Sequence, residues 1–336
     1  MANPQDGNPS LPHPRRPRRL RRGAVLRDAV TDVVLRPSDL VLPLFVRAGQ
    51  DVRTPVPSMP DVHQMSPDVA VRTIVDLSAA GVTSFILFSV IDAADKDAHG
   101  SAAMDPDNPA NVTLKRVRDA GVEAMMIADL CFCEFTDHGH CGALDADARL
   151  TVDNDATLDM LGRQAVVLGE CGADVVAPSG MMDGQVRAIR AALDQAGHDH
   201  TAILSYSIKY ASAMYGPFRD AADGAPQFGD RRGYQMDWRR SREWHTELQL
   251  DLAEGADMVM VKPAVAYLDV LRQVREATDV PVVAYHVSGE YSMIHAAAAN
   301  GWIDLEASAV EITTAIKRAG ADLIFSYFTP RMLDWL

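Results

Sequence analysis

Three cysteines fall within one short stretch, at Cys131, Cys133 and Cys141. Thiolates are soft ligands for zinc, and a three-ligand site keeps a fourth position open for chemistry. The Cys-x-Cys pair puts two sulfurs on one side of an extended strand end, and Gly139 and Gly142 allow a turn that returns the third. Ordinary buried thiols, or a zinc closed as a structural site by His138 or His140, are the alternatives. Two lysines stand in apolar surroundings, in a chain whose positive charge is mostly arginine: Lys262 after Met258-Val259-Met260-Val261, and Lys209 in Ser205-Tyr206-Ser207-Ile208-Lys209-Tyr210. Burial desolvates an ammonium and lowers its pKa, and a second ammonium nearby lowers it further. The neutral amine then attacks a ketone to form a Schiff base. The alternative is a buried lysine paired to Asp129 or Asp257. Arg219 and Arg231 lie in a Gly-, Pro- and Asp-containing insert that reads as a loop and, by its length, as a lid. Arginines above amine nucleophiles suit a carboxylate substrate held bidentately, with surface ion pairs as the alternative. Cys171 stands alone on a helical stretch and reads as core.

Chemistry of this kind needs a frame that gathers distant residues. One pattern recurs: a helix-like stretch, a glycine, then four to six apolar residues. It appears at Gly81, Gly121, Gly172, Gly255 and Gly320, and with a longer loop at Gly197. The following strands are expected at Ser84–Phe88, Ala124–Ala128, Asp174–Ala177, Met258–Val261, Leu323–Phe325 and Thr201–Leu204. Leu40–Val46 and Val280–Tyr285 complete a set of eight. Glycine after a helix takes the left-handed conformation that closes it, and an unbroken apolar run reads as a strand covered on both faces. Helices are expected over Val69–Ala80, Ala156–Cys171 and Trp244–Glu254. Eight such strands alternating with helices predict an α/β fold, a (β/α)8 TIM barrel. The open doubly wound sheet is less suited, since no Gly-x-Gly-x-x-Gly turn is present. A barrel places chemistry at the strand ends of one face. Asp129, Cys131 and Cys133 follow strand 3, and Ser179 and Asp183 follow strand 4. Lys209 and Lys262 then belong to strands 5 and 6, His286 and Ser288 to strand 7, and Tyr327 to strand 8.

Composition bounds the rest. The chain has 336 residues, 48% hydrophobic and 23% charged, which excludes a mostly disordered or disulfide-scaffold protein. No apolar run approaches the ~18 residues of a membrane span, so no membrane partner is expected. Residues 1–27 hold seven arginines and one aspartate, a net +6 within an overall −14, leaving −20 on the remainder. A body so acidic is a poor nucleic-acid binder, and the basic segment reads as an arm that packs on an acidic body, its own or a neighbour's. The expected division is an arm over residues 1–36, its first 14 disordered, and a catalytic barrel over 37–336 with a lid at about 214–237.

Together these residues resemble the zinc-using bacterial kind of the porphobilinogen synthase (5-aminolevulinate dehydratase) family. The likeness runs from about Arg18 to Leu336. It rests on Asp-Leu-Cys-Phe-Cys-Glu-Phe-Thr-Asp-His-Gly-His-Cys-Gly, Ala-Pro-Ser-Gly-Met-Met-Asp-Gly, Ser-Tyr-Ser-Ile-Lys-Tyr-Ala-Ser, Met-Val-Lys-Pro-Ala and Tyr-His-Val-Ser-Gly-Glu-Tyr. The resemblance implies a barrel with an arm wrapping a neighbour, a homo-octamer built from arm-exchanged dimers, and a place in the cytoplasm. It implies that two molecules of 5-aminolevulinate join into porphobilinogen with loss of two waters, in tetrapyrrole (haem) biosynthesis. Lys262 and Lys209 match the lysines that bind the first and second substrate. Ser288 and Tyr327 match the holders of the first carboxylate, and Arg219 and Arg231, with Gln235 nearby, those of the second. Cys131, Cys133 and Cys141 match zinc ligands, and Asp129 and Ser179 line the site, Asp129 as a candidate proton acceptor. Glu247 matches a glutamate that binds magnesium in some members. Around it Arg240-Ser241-Arg242-Glu243-Trp244-His245 departs from the family pattern, as does Ser89 in Phe88-Ser89-Val90. A one-lysine Schiff-base aldolase and a non-enzymatic zinc-bound assembly module are the competing readings.

Overall fold

The computed structural model describes residues 15–145 and 151–336. The expectation of disorder over the first 14 residues lies outside the described residues. The chain divides after Val34 into two units. In the first, a 3-10 turn over Pro17–Arg21 precedes helix α1 (Ala24–Ala29), and neither buries a residue.

The second unit runs in chain order through β1 (Leu40–Arg47), β2 (Arg53–Pro55), β3 (His63–Met65), α2 (Pro67–Ala79), β4 (Ser84–Val90), α3 (Pro109–Asp119), β5 (Met125–Leu130) and α4 (Asn154–Glu170). It continues through β6 (Val175–Pro178), α5 (Gln185–Gln195), β7 (Ala202–Lys209), α6 (Gly216–Ala222), α7 (Glu243–Glu254), β8 (Met258–Lys262) and α8 (Leu268–Ala277). It ends with β9 (Val282–His286), α9 (Ser288–Ala299), α10 (Leu305–Ala319), β10 (Leu323–Ser326) and α11 (Thr329–Trp335). Eight parallel strands pair in the order β1-β4-β5-β6-β7-β8-β9-β10, and β10 returns to β1, so the barrel closes. The expected (β/α)8 TIM barrel is the fold.

The reasons are those the sequence carries. Every residue of β4, β6 and β9 is buried, as a sheet lined by side chains within and covered by helices outside requires. The glycines of the repeat close their helices at positive φ, +111° at Gly81 and +122° at Gly320. Side chains of Asp153 and Asp304 cap α4 and α10. Ser89 accepts a hydrogen bond from the Ala110 amide and donates to Asn108 Oδ1, which gives that unusual serine two partners inside the barrel wall.

Three expectations need correction. β7 extends to Lys209 rather than ending at Leu204, so Lys209 is in the strand, not after it. Asp129 and His286 are likewise inside their strands, next-to-last and last, whereas Lys262 ends β8 as expected. The insert after β7 is not all loop, because Gly216–Ala222 forms α6 with proline in its first turn, where its fixed φ favours a helix. The antiparallel pair β2–β3 had no apolar run to announce it, since all of β2 is exposed.

Candidate active site

Lys209 and Lys262 are register partners at the ends of adjacent strands β7 and β8. Both are buried. Rings surround the Lys262 ammonium: Tyr285 at 4.2 Å, Tyr206 at 5.0 Å, Phe218 at 5.1 Å and Tyr215 at 5.4 Å from their centroids. Burial, and then the positive charge of Lys209, push its pKa down from 10.5 to about 7. Lys209 Nζ donates to the Ser179 carbonyl at 2.5 Å. The alternative of pairing to Asp257 fails, because that carboxylate takes the Ile203 amide instead. Asp129 does face the lysines, and Ser179 hydrogen-bonds to it. It lies deep in the protein with part of its side chain open to the cavity. Burial, and then the nearby Glu134, hold its pKa well above the usual carboxylate range. Its Oδ1 has no partner in the chain.

Cys131 Sγ and Cys133 Sγ are 3.5 Å apart, and with Cys141 Sγ the three buried sulfurs all lie within 4.8 Å of one another. Such convergence of soft donors fits a zinc ion. The open question of a histidine ligand has an answer in the lid. His140 Nδ1 is 3.0 Å from Tyr234 Oη, and its Nε2 is 3.0 Å from the Phe228 carbonyl, so both ring nitrogens are engaged there. His138 accepts the His140 amide at Nδ1 and lies 3.3 Å from the Ala98 carbonyl through Nε2. The three cysteines thus converge without either histidine, and Asp129 and Glu134 form a second group with Cys131 within 4.8 Å. Cys171 packs in the core, as expected.

α6 and the loop after it lie over the strand ends. Arg231 is buried and donates to the Gly139 carbonyl at 3.0 Å and the Gly224 carbonyl at 2.5 Å. Its Nε is unpartnered, as is that of Arg219. Burial, and then Arg231, lower the pKa of Arg219. Both arginines and both lysines line one cavity of ≈ 20 Å³ with Asp129, Ser179 and Cys133. Two substrates cannot enter so small a space unless the lid lifts.

Ser288 opens α9, its Oγ accepting the Phe218 amide at 2.9 Å. Tyr327 Oη lies 3.1 Å from Tyr285 Oη, beside the Lys262 box. A larger cavity of ≈ 370 Å³, against β1, α2 and α11, includes Tyr327 but neither lysine. Gln235 and Asp183 line a different cavity from the lysines, one of ≈ 470 Å³ shared with Glu247. Glu247 is half-buried on α7 rather than freely solvated, and burial, then Asp251 and Asp183, raise its pKa to about 7. His286 is buried and held neutral by desolvation, its pKa lowered to about 4.

Sequence reasoning passed over two carboxylates. Glu134, inside the cysteine motif, is buried in the lysine cavity with Oε2 3.2 Å from Cys133 Sγ. Glu290 is buried behind the Lys262 loop. Their signal was a charged residue inside an apolar motif. The aromatic box carried no signal, because its rings come from β7, the 3-10 turn before α6, α6 and β9 and meet only in the fold.

A profile described as Delta-aminolevulinic acid dehydratase matches residues 14–335. A protein of that name from Streptomyces coelicolor is 52% identical over 314 residues, covering 93% of this chain and 94% of its own. One from Synechococcus elongatus is 50% identical over 322 residues, covering 96% and 98%. The crystal structure of the Toxoplasma gondii enzyme in complex with its reaction product porphobilinogen superposes with a TM-score of 0.94 at 39% identity, covering 97% of this chain and 92% of that one. The site geometry and these relationships agree: the chain belongs to the delta-aminolevulinic acid dehydratase family.

Proposed function

We propose that this protein is an enzyme, a hydro-lyase that condenses two molecules of 5-aminolevulinate into porphobilinogen with loss of two waters, in haem biosynthesis. One observation carries the reading: two buried lysines in register on adjacent strands share a cavity with Cys133 of the converging cysteines and with two arginines whose Nε atoms are unpartnered. Lys262, with its pKa near 7, presents a large neutral fraction at neutral pH. Its amine adds to the ketone of the first substrate, the resulting hydroxyl leaves as water, and an imine remains. Lys209 does the same for the second substrate. The amine of one substrate then displaces the lysine at the other's imine carbon, forming the ring C–N bond, while the remaining imine carbon takes the new C–C bond and its lysine leaves by elimination, so both lysines return. Ser288 and Tyr327 hold the first carboxylate, and Arg219 and Arg231 the second. Asp129, through its unpartnered Oδ1, takes and returns protons at the two amines. Two substrates fixed side by side react as one molecule, which is worth about 7–11 kcal/mol.

Cys131, Cys133 and Cys141 would hold zinc, which supplies Lewis acidity at the cavity edge when bound. Magnesium at Glu247 has less support. Among the described residues no group of three or more His, Cys, Asp or Glu ligand atoms includes its carboxylate, so water would have to complete the shell. Gln235 stands in that neighbouring cavity, which supports a contribution at the lid rather than at the amines. The arm exposes Val25 and Leu20 beside its arginines, which supports burial against another subunit in a homo-octamer. Four free cysteines fit a reducing compartment such as the cytoplasm. No helix among the described residues is long and apolar enough to cross a membrane.

Borohydride reduction in the presence of 5-aminolevulinate, followed by peptide mapping, tests the assignment. Adducts are expected on both lysines. Lys262→Ala should abolish trapping of the first substrate, whereas Cys133→Ala should leave trapping intact and lose turnover. Adducts on neither lysine would defeat the reading.

A further inference from the structure

Glu290 is a buried carboxylate that the reaction as described does not use. It is 4% exposed, and among the described residues no cation pairs with it. A carboxylate in such a place is costly unless hydrogen bonds replace the lost water. Two backbone amides do so, on different segments. Oε2 accepts the Val287 amide at 2.9 Å. That is the ordinary service of a third-position glutamate to its own helix, here α9. Oε1 accepts the Val265 amide at 2.8 Å, and that bond leaves the helix. Val265 begins the 3-10 turn that follows Lys262-Pro263-Ala264, where its amide has no helical partner. Capping alone would need only one oxygen, and the other would face solvent.

The two segments so joined hold the two ends of one ligand. Lys262 closes β8, and Ser288 opens α9 immediately after Val287. Gly289 presses on the Met214 backbone so closely that an added Cβ would lie 2.5 Å from its carbonyl oxygen, so the helix start is seated on that side as well. β8 and β9 are paired up to Val261 and Ala284, and beyond that last pair Glu290 is a bridge between the Lys262 loop and the α9 start.

We propose that Glu290 is a positioning residue that fixes the span between Lys262 and Ser288, and thereby the selectivity of the first substrate position for a ketone carrying a carboxylate at the matching distance. This rests on the assignment of Lys262 and Ser288 to the two ends of the first substrate. The ligand class is a 4-oxo acid, with its ketone at the lysine and its carboxylate at the serine and Tyr327.

The test compares two ketones of one shape in the full-length protein. 4-Oxopentanoate has the carboxylate, and 2-pentanone has a methyl group in its place. The quantity read is the rate of borohydride-trapped adduct at Lys262 for each, mapped by mass, and their ratio. In the unaltered protein the ratio should strongly favour the acid. Glu290→Gln keeps the shape but turns an NH2 toward one of the two amides. It should cut the ratio by about tenfold or more, since small misplacements of an anchor cost on that scale, while the 2-pentanone rate changes by less than about twofold. Glu290→Asp, charged but too short to reach both amides, should fall between and serves if the glutamine variant does not fold. An unchanged ratio in a folded variant overturns the proposal, as does loss of the fold in both variants. The underlying assignment fails separately, if the unaltered protein shows no adduct at Lys262 or no preference for the acid.

Discussion

Lys262 shows how one residue acquires chemistry from its neighbours. Its type and its place after an apolar run were legible in the sequence, and so was the direction of its pKa, because burial and a second ammonium both act against charge. The four rings that surround it were not legible, since they come from four separate segments. The same holds for Glu134 and Glu290, whose types are ordinary and whose burial is not. A pH profile checks the lysine. Only the neutral amine attacks, so the rate of 4-oxopentanoate trapping at Lys262 should rise about tenfold per pH unit below its pKa of about 7 and level off above it. A rate still climbing toward pH 10 would mean an ordinary, solvated lysine. Folding carries a related sign. Between about 7 and 10.5 the unfolded chain holds this proton and the folded chain does not, so Lys262 contributes a stability that rises with pH across that window.

At the scale of elements, the glycine-then-apolar repeat identified six barrel strands and bare apolar runs the other two, because closing a helix and burying a strand on both faces leave marks in local sequence. The strand ends were harder to place. β7 runs on through Ser205-Tyr206-Ser207-Ile208-Lys209, polar residues that a buried-strand pattern excludes but a barrel mouth tolerates. α6 was hidden by its Gly-Pro start, and β2–β3 by its exposure. The lid docks on the cysteine loop through contacts that sequence spacing cannot reveal. Gly139 has φ +70°, and a Cβ there would lie 2.2 Å from the Ala225 carbonyl oxygen. Gly139→Ala should therefore lift the lid. The expected result is a KM for 5-aminolevulinate raised about tenfold and faster proteolysis within residues 214–237, with zinc content retained. Unchanged KM and unchanged cleavage would show that the lid does not depend on this approach.

For the whole molecule, charge is the feature that composition exposes and the barrel does not use. A +6 arm and a −20 remainder attract, and screening weakens that attraction as salt rises. Removing residues 1–34 should lower the mass in solution from that of the proposed octamer to a smaller assembly, while leaving Lys262 able to trap 4-oxopentanoate. An assembly of unchanged mass would take the arm out of the oligomer. The central claim is that two amines and a zinc-binding cysteine cluster together make a pyrrole. It is tested most directly by measuring porphobilinogen formation from 5-aminolevulinate with the purified full chain as isolated, after chelation, and after zinc is returned. The account predicts product that disappears on chelation and returns with zinc. Absence of product in all three states would contradict the reaction, and product indifferent to chelation would contradict the role of the cysteines.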